Sequence, residues 1–412
     1  MKAELKRNLI NISLVIIFTV IYIFYLNSEV VFNFVWHFNN LFIDLKTPVG
    51  WLKCEYFGYN PYTDINEYCK IPFAYGKIFL SIPYNISLDY FYTKILPYLL
   101  IVFFIYSVVE SFDSKNLVSY ILLFLAIFNP ATTFIILKMN FDIFIFLFVI
   151  FLSLNRVYLI NWILIFFLAF TKIYPAILGL IVFLENKERK IKNIILIIAS
   201  ITLISIIYLL LNINSYHYML NAAGNVKAGF YFLFSLNSIP KILNYLFNLN
   251  YIFLLTIFYS LFILIIFFLF KKRYFYKNLN FIDFYSFKFK IFFLGASILI
   301  LSFIFFSNWF HREIFIILTI PFLLSFYKKR VLDIFKIIIY LIIFKYLYSY
   351  AYAYINVHDG ITYSNNQRVF SNYFIYAILL KSVIDVILMI FLSTTMLFFT
   401  EKFLSKLKKD HL

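Results

Sequence analysis

The chain has 412 residues, 64% of them hydrophobic and 13% charged, with a mean hydropathy of +0.90. An ordinary soluble domain is nearer half apolar and one quarter charged, so a water-soluble enzyme or adaptor is excluded. The formal net charge of +17 does not indicate nucleic acid either, because the cations stand in short clusters between apolar runs, where the positive-inside bias of membrane proteins puts them.

Only helices or closed barrels satisfy every backbone group in lipid, and the apolar runs here are continuous rather than alternating. The chain therefore reads as an all-α polytopic membrane protein, one transmembrane domain over 1–412. Candidate spans are 9–26, 95–109, 117–129, 141–154, 157–171, 175–184, 193–212, 247–270, 291–306, 313–326, 334–350 and 376–400. That makes about twelve, several of them short enough to pair into broken or tilted helices. Met1–Arg7 followed by Asn8–Tyr25 has the outline of a signal peptide, but no small-x-small cleavage site follows, which predicts an uncleaved first span. An even count brings both termini to the cytoplasmic side. The charge map agrees, since the segments this assigns to the inside hold well over half of the 36 Lys and Arg residues.

The longest outer segment is the first loop, 27–94, and loops of such length are usually functional or separately folded. It contains Pro48, Pro61, Pro72 and Pro83, and its GYNPYTD run (Gly58–Asp64) is turn chemistry. Cys54 and Cys69 are the chain's two cysteines. Outside a cytoplasmic membrane they can persist as a disulfide, and closing a loop of that size adds roughly 3 kcal/mol; two unpaired thiols are the plainer alternative. No histidine lies between or beside them, so a zinc site is not expected. Asp44 differs from Glu55, Asp64, Glu67 and Asp89 in its apolar neighbours Phe42, Ile43 and Leu45. A carboxylate so placed needs a partner or a use. A helix cap or an ion pair with Lys46 would satisfy it structurally, whereas Asp64 reads as a turn residue.

Further outward-facing signals follow. Asn140 and Asp142 suit the first turn of a span, or could bind sugar hydroxyls and orient a catalytic partner. Lys172, in Thr171–Pro175, is either a snorkelling lysine or a holder of a lipid-linked phosphate. The Ser307–Phe315 run sets His311, Arg312 and Glu313 between apolar spans. Arg312 offers a fork that matches phosphate, or pairs internally with a carboxylate such as Glu313. Arg368 and Lys227 are weaker candidates. Four of the five histidines (His37, His217, His311 and His358) fall on the predicted outside. There is no P-loop, GxGxxG or HExxH, and no outer carboxylate cluster of the kind that holds a divalent metal. Lys336, Lys345, Lys381 and Asp385 are the main charges inside spans, fewer than an ion-coupled carrier usually has.

Taken in order, four islands resemble the C-type (GT-C) integral-membrane glycosyltransferases, in the polyprenyl-phosphate-sugar-dependent branch that includes bacterial mannosyltransferases. They are the outer-loop aspartate of FIDLK with Cys54 to Tyr62 behind it; Asn140-x-Asp142; Lys172-x-Tyr174-Pro175; and Arg312 through Pro321. The chain departs where relatives often have a charged residue and a glycine before Asn-x-Asp; here Lys138–Met139 stand instead. The tail beyond about residue 330 maps to no motif of the family.

The resemblance implies a hexose such as mannose, carried on a polyprenyl phosphate and transferred with inversion to a cell-envelope glycan or glycolipid at the outer face of the cell membrane. No separate cofactor is implied. Asp44 matches the general base, and Asn140, Asp142, Lys172, Tyr174, His311 and Arg312 match substrate-binding positions. Such a transfer needs one carboxylate to take the acceptor proton and fixed cations for the phosphate leaving group. Two rival readings are a flippase or polymerase of lipid-linked glycans and a non-catalytic transporter.

Overall fold

The structure, a computed structural model, describes residues 2–27, 41–64, 67, 69, 73–112, 116–181, 184, 191–225, 233–272, 282–305, 308–327, 333–358, 361–364 and 367–411. His37, Pro72 and Lys227 lie outside them, as do parts of the predicted cytoplasmic clusters, and the Arg368 and His358 side chains are likewise not described.

Helices dominate the described residues. In chain order they are α1 (Lys2–Asn27), α2 (Ile43–Tyr56), α3 (Ile86–Ser111), α4 (Leu117–Phe128), α5 (Pro130–Lys138), α6 (Asp142–Leu154) and α7 (Tyr158–Thr171). After them come α8 (Ile191–Leu211), α9 (Ile213–Asn225), α10 (Ser238–Phe247), α11 (Tyr251–Lys272), α12 (Phe287–Phe305), α13 (Ile316–Ser325), α14 (Asp333–His358) and α15 (Asn372–His411). Two short antiparallel pairs interrupt them: β1 (Leu233–Phe234) with β2 (Asn308–Trp309), and β3 (Ile361–Ser364) with β4 (Gln367–Phe370).

Among the described residues six helices are long and apolar enough to cross a bilayer, or up to seven if α4 and α5, bent by 40° at their junction, make one span. By helix length and composition the chain is a multi-pass membrane protein. The sequence led us to expect about twelve spans, and the smaller count has identifiable causes. The 141–154 and 157–171 runs form helices shorter than a bilayer needs, 175–184 begins as the 3-10 segment Tyr174–Ile181, and 313–326 divides between a 3-10 turn and α13.

Side-chain caps fix several helix starts. Asn85, Asn116 and Asn129 accept the backbone N–H groups of Leu88, Ser119 and Thr132 at 2.9, 2.8 and 3.0 Å. Pro130, first in α5, has no N–H to leave unsatisfied there. In the apolar window of α12, 61% is buried, against 17% for α11, so α12 is central and α11 peripheral. Phe292 of α12 meets Phe322 of α13 with ring centroids 4.8 Å apart, and Phe399 of α15 closes on Phe322 at 5.7 Å. This aromatic nucleus ties the C-terminal helices to the centre.

Candidate functional site

The site is built on helix ends. Asp44 lies in the first turn of α2, and Asp142 opens α6. Lys172 follows the last residue of α7, with Tyr174 two residues on. His311, Arg312 and Glu313 lie on the six-residue 3-10 turn Phe310–Phe315 that leads into α13.

Two backbone features bring Asp44 to α6. The Phe42 N–H donates to the Leu137 carbonyl at 2.7 Å, joining the start of α2 to the end of α5. Phe42 and Met139 are both left-handed, at φ 60° and 52°. Bulky residues seldom adopt that conformation, and it tends to gather at functional sites. Met139 stands where a glycine would fit without strain.

Asn140 then links the two carboxylates. Its Nδ2 donates to Asp44 Oδ2 at 2.8 Å, and its Oδ1 accepts the Asp142 N–H at 3.1 Å. The partner of Asp44 is thus Asn140 rather than Lys46. Asp142 is fully buried and is met by three groups: Lys172 Nζ at 3.2 Å, the Tyr174 hydroxyl at 2.6 Å, and the Arg312 guanidinium in direct contact. Arg312 also donates to the Tyr174 hydroxyl at 2.8 Å and stacks on that ring, 3.7 Å from its centroid. An internal pair of Arg312 with Glu313 was one sequence reading; the structure gives the guanidinium to Asp142 and Glu313 to other partners.

Charge balance follows from these contacts. Asp142 offsets one of its two cations, so Asp142, Lys172 and Arg312 together carry one positive charge. Burial draws the Lys172 ammonium below its ordinary pKa while Asp142 opposes the change. Burial works against the Arg312 cation too, but Asp142 and then Tyr174 more than compensate, and its pKa rises. The Nε of Arg312 is buried and has no hydrogen-bond partner among the described residues. His311 borders the cluster, its ring stacked on Phe134 at 5.2 Å, and burial lowers its pKa to about 3.

Beside Asp44 a cavity of about 260 Å³ opens, walled by Phe141, Phe144, Phe148, Phe167 and Leu52 among others. Asp44 is the one carboxylate among the described residues that line it.

The loop that follows α2 is seated against the same helix ends. Cys54 and Cys69 are joined as a disulfide with Cα atoms 5.3 Å apart, which fastens the loop to α2. Gly58 has a φ of +81°, and Asn60 and Asp64 close the expected turn through Tyr62 N–H to Asn60 Oδ1 (2.9 Å) and Asn60 N–H to Asp64 Oδ2 (2.8 Å). Gly76 N–H donates to the Thr171 carbonyl at 3.1 Å, and a Cβ at Gly76 would fall on the Phe170 carbonyl. Tyr75 beside it places its ring 5.1 Å from Lys172 Nζ.

All seven sequence-derived site residues therefore lie in or beside one region. Sequence reasoning missed Phe42, Tyr75, Gly76 and Met139, whose roles depend on backbone approach. It also missed that Glu313, Lys345, Lys381 and Asp385 meet; the Lys381–Asp385 spacing on one helix face was a usable signal. No family model matches the chain, and no curated protein or solved structure matches it.

Proposed function

We propose that this chain is a C-type membrane glycosyltransferase with an extracytoplasmic site and cytoplasmic termini in the cell membrane. Counting its shorter helices as tilted or partial crossings, the protein has about twelve spans. It moves a hexose such as mannose from a polyprenyl phosphate to a glycan or glycolipid acceptor. One observation carries the reading: Asn140 connects Asp44, on the rim of an apolar cavity, to the Asp142–Lys172–Arg312–Tyr174 cluster.

Each part suits the transfer. Asp44 accepts the proton of the acceptor hydroxyl as its oxygen bonds to the anomeric carbon, and the bond from that carbon to the phosphate oxygen breaks on the opposite face. The departing polyprenyl phosphate carries away the electron pair, and the net positive charge of Lys172 and Arg312 over Asp142 stabilises it. The vacant Nε–H of Arg312 is a donor that a phosphate oxygen would satisfy. An isoprenoid chain suits the apolar wall. In this scheme Asp142 holds the two cations in place rather than touching sugar. A flippase for lipid-linked glycans would use the same cations but gives Asp44 no task at the cavity.

The test is transfer from decaprenyl-phosphate-linked sugars by the purified protein in lipid nanodiscs. Asp44→Asn should lower turnover about 1,000-fold while membrane insertion is unchanged. Near-normal turnover in that variant would remove Asp44 as the base. Absence of transfer by the wild-type protein across donor sugars, with vesicle flux of a lipid-linked glycan instead, would favour the flippase.

A further inference from the structure

Two neighbours on the 3-10 turn Phe310–Phe315 serve different clusters. Arg312 reaches Asp142 and Tyr174, whereas Glu313 reaches Lys345 of α14 at 2.9 Å and Lys381 of α15 at 2.7 Å. Asp385 completes a quartet, 2.9 Å from Lys381 and in direct contact with Lys345. None of the four side chains is more than 9% exposed. Two acids and two bases leave the group neutral.

Such a group is a poor source of stability, because apolar residues of equal volume usually do as well as a buried ion pair. What it does supply is direction, since a buried carboxylate severed from its cations is strongly disfavoured. The turn needs that help: 3-10 segments are short and have weaker hydrogen bonds than an α-helix. Upstream it continues from the two-residue β1–β2 pairing, where Phe234 faces Asn308 and Lys345 Nζ lies 5.6 Å from the Phe234 ring, and on its other side His311 stacks on Phe134 of α5.

We infer that Glu313 is a positioning residue: through the quartet it fastens the 3-10 turn to α14 and α15, so that Arg312 meets Asp142 in a single arrangement. The C-terminal helices, which match no motif of the glycosyltransferases, thereby acquire a part in the site. The pinning is a matter of geometry alone; its importance for transfer rests on the reading proposed above.

Phenylglyoxal, which modifies arginine, tests the pinning without any substrate. Modification of Arg312 in the full-length protein in nanodiscs is followed by peptide mass spectrometry. The double variant Glu313→Gln/Lys381→Met releases the turn yet keeps the Lys345–Asp385 pair and charge neutrality. Its Arg312 should react at least fivefold faster than in the wild type. Phe399→Leu, which weakens the core away from the turn, should lower thermal stability and leave Arg312 protected. Should the double variant fail to reach the membrane, Glu313→Asp shortens the link with charge intact and should raise the rate at least twofold. Unchanged Arg312 reactivity in whichever of these variants folds, or an equal rise in Phe399→Leu, overturns the inference. Because no donor sugar is involved, these results do not depend on whether the protein transfers sugar.

Discussion

The Asn140 side chain joins Asp44 to the N-terminus of α6, donating 2.8 Å to the carboxylate and accepting the Asp142 N–H through its other end. Removing that amide leaves both aspartates in place but frees the Asp44 rotamer. Under the proposed glycosyl transfer, Asn140→Ala should therefore lower turnover by about 10- to 100-fold, chiefly in kcat, since a misplaced base acts on the chemical step. Steady-state kinetics with a fixed acceptor measures this; a change confined to KM would place Asn140 in donor binding alone.

Met139 tests the left-handed backbone before Asn140. Its side chain is buried, with φ at 52°. Met139→Ile keeps the volume but puts a β-branched residue in that conformation, and should destabilise the protein by about 1–3 kcal/mol. Met139→Leu lacks the branch at Cβ and should stay within about 1.5 kcal/mol of wild type. Thermal unfolding in detergent separates the two; equal midpoints would show that the conformation is not under constraint.

Acid sensitivity follows from His311. Burial lowers its pKa from 6.5 to about 3, so between those values the unfolded chain binds a proton that the folded chain refuses. Stability attributable to this group is intact above pH 6.5 and is lost as the pH falls toward 3. The loss proceeds at no more than about 1.4 kcal/mol per pH unit. His311→Phe should keep the stack on Phe134 and flatten the acid limb of a plot of unfolding midpoint against pH. An unchanged limb would assign the acid sensitivity to other groups.

The Cys54–Cys69 bridge closes a separation of 15 residues. Its removal by Cys54→Ser should cost about 3 kcal/mol on the chain-entropy account. The effect should appear as loosening of the loop after α2, visible as faster hydrogen exchange across 55–76. Exchange that speeds up equally in α12 would mean the bridge supports the whole fold instead.

Much of this architecture can be read from residue types. Continuous apolar runs determine the helical membrane class. The turn at Asn60 and Asp64 follows from local chemistry alone. Span number was harder, because a run such as Asp142–Leu154 looks alike whether it crosses a bilayer or packs within the protein. Asp44, Asp142, Lys172 and Arg312 could be picked out singly, but their mutual partners could not. Arg312 lies 170 positions from Asp142, and nothing local prefers that carboxylate to the adjacent Glu313. The same holds for Lys345, whose partners Glu313 and Asp385 stand on other elements and meet it only once the helices are packed.

The phenylalanine-walled cavity beside Asp44 has a practical corollary at the bench. An alkyl detergent tail is chemically close to the chain such a wall would accept, so solubilisation introduces a competitor at millimolar concentration. Under the proposed transfer, turnover should then depend on surfactant chain length and recover on reconstitution into bilayer, making the choice of extraction medium part of that test.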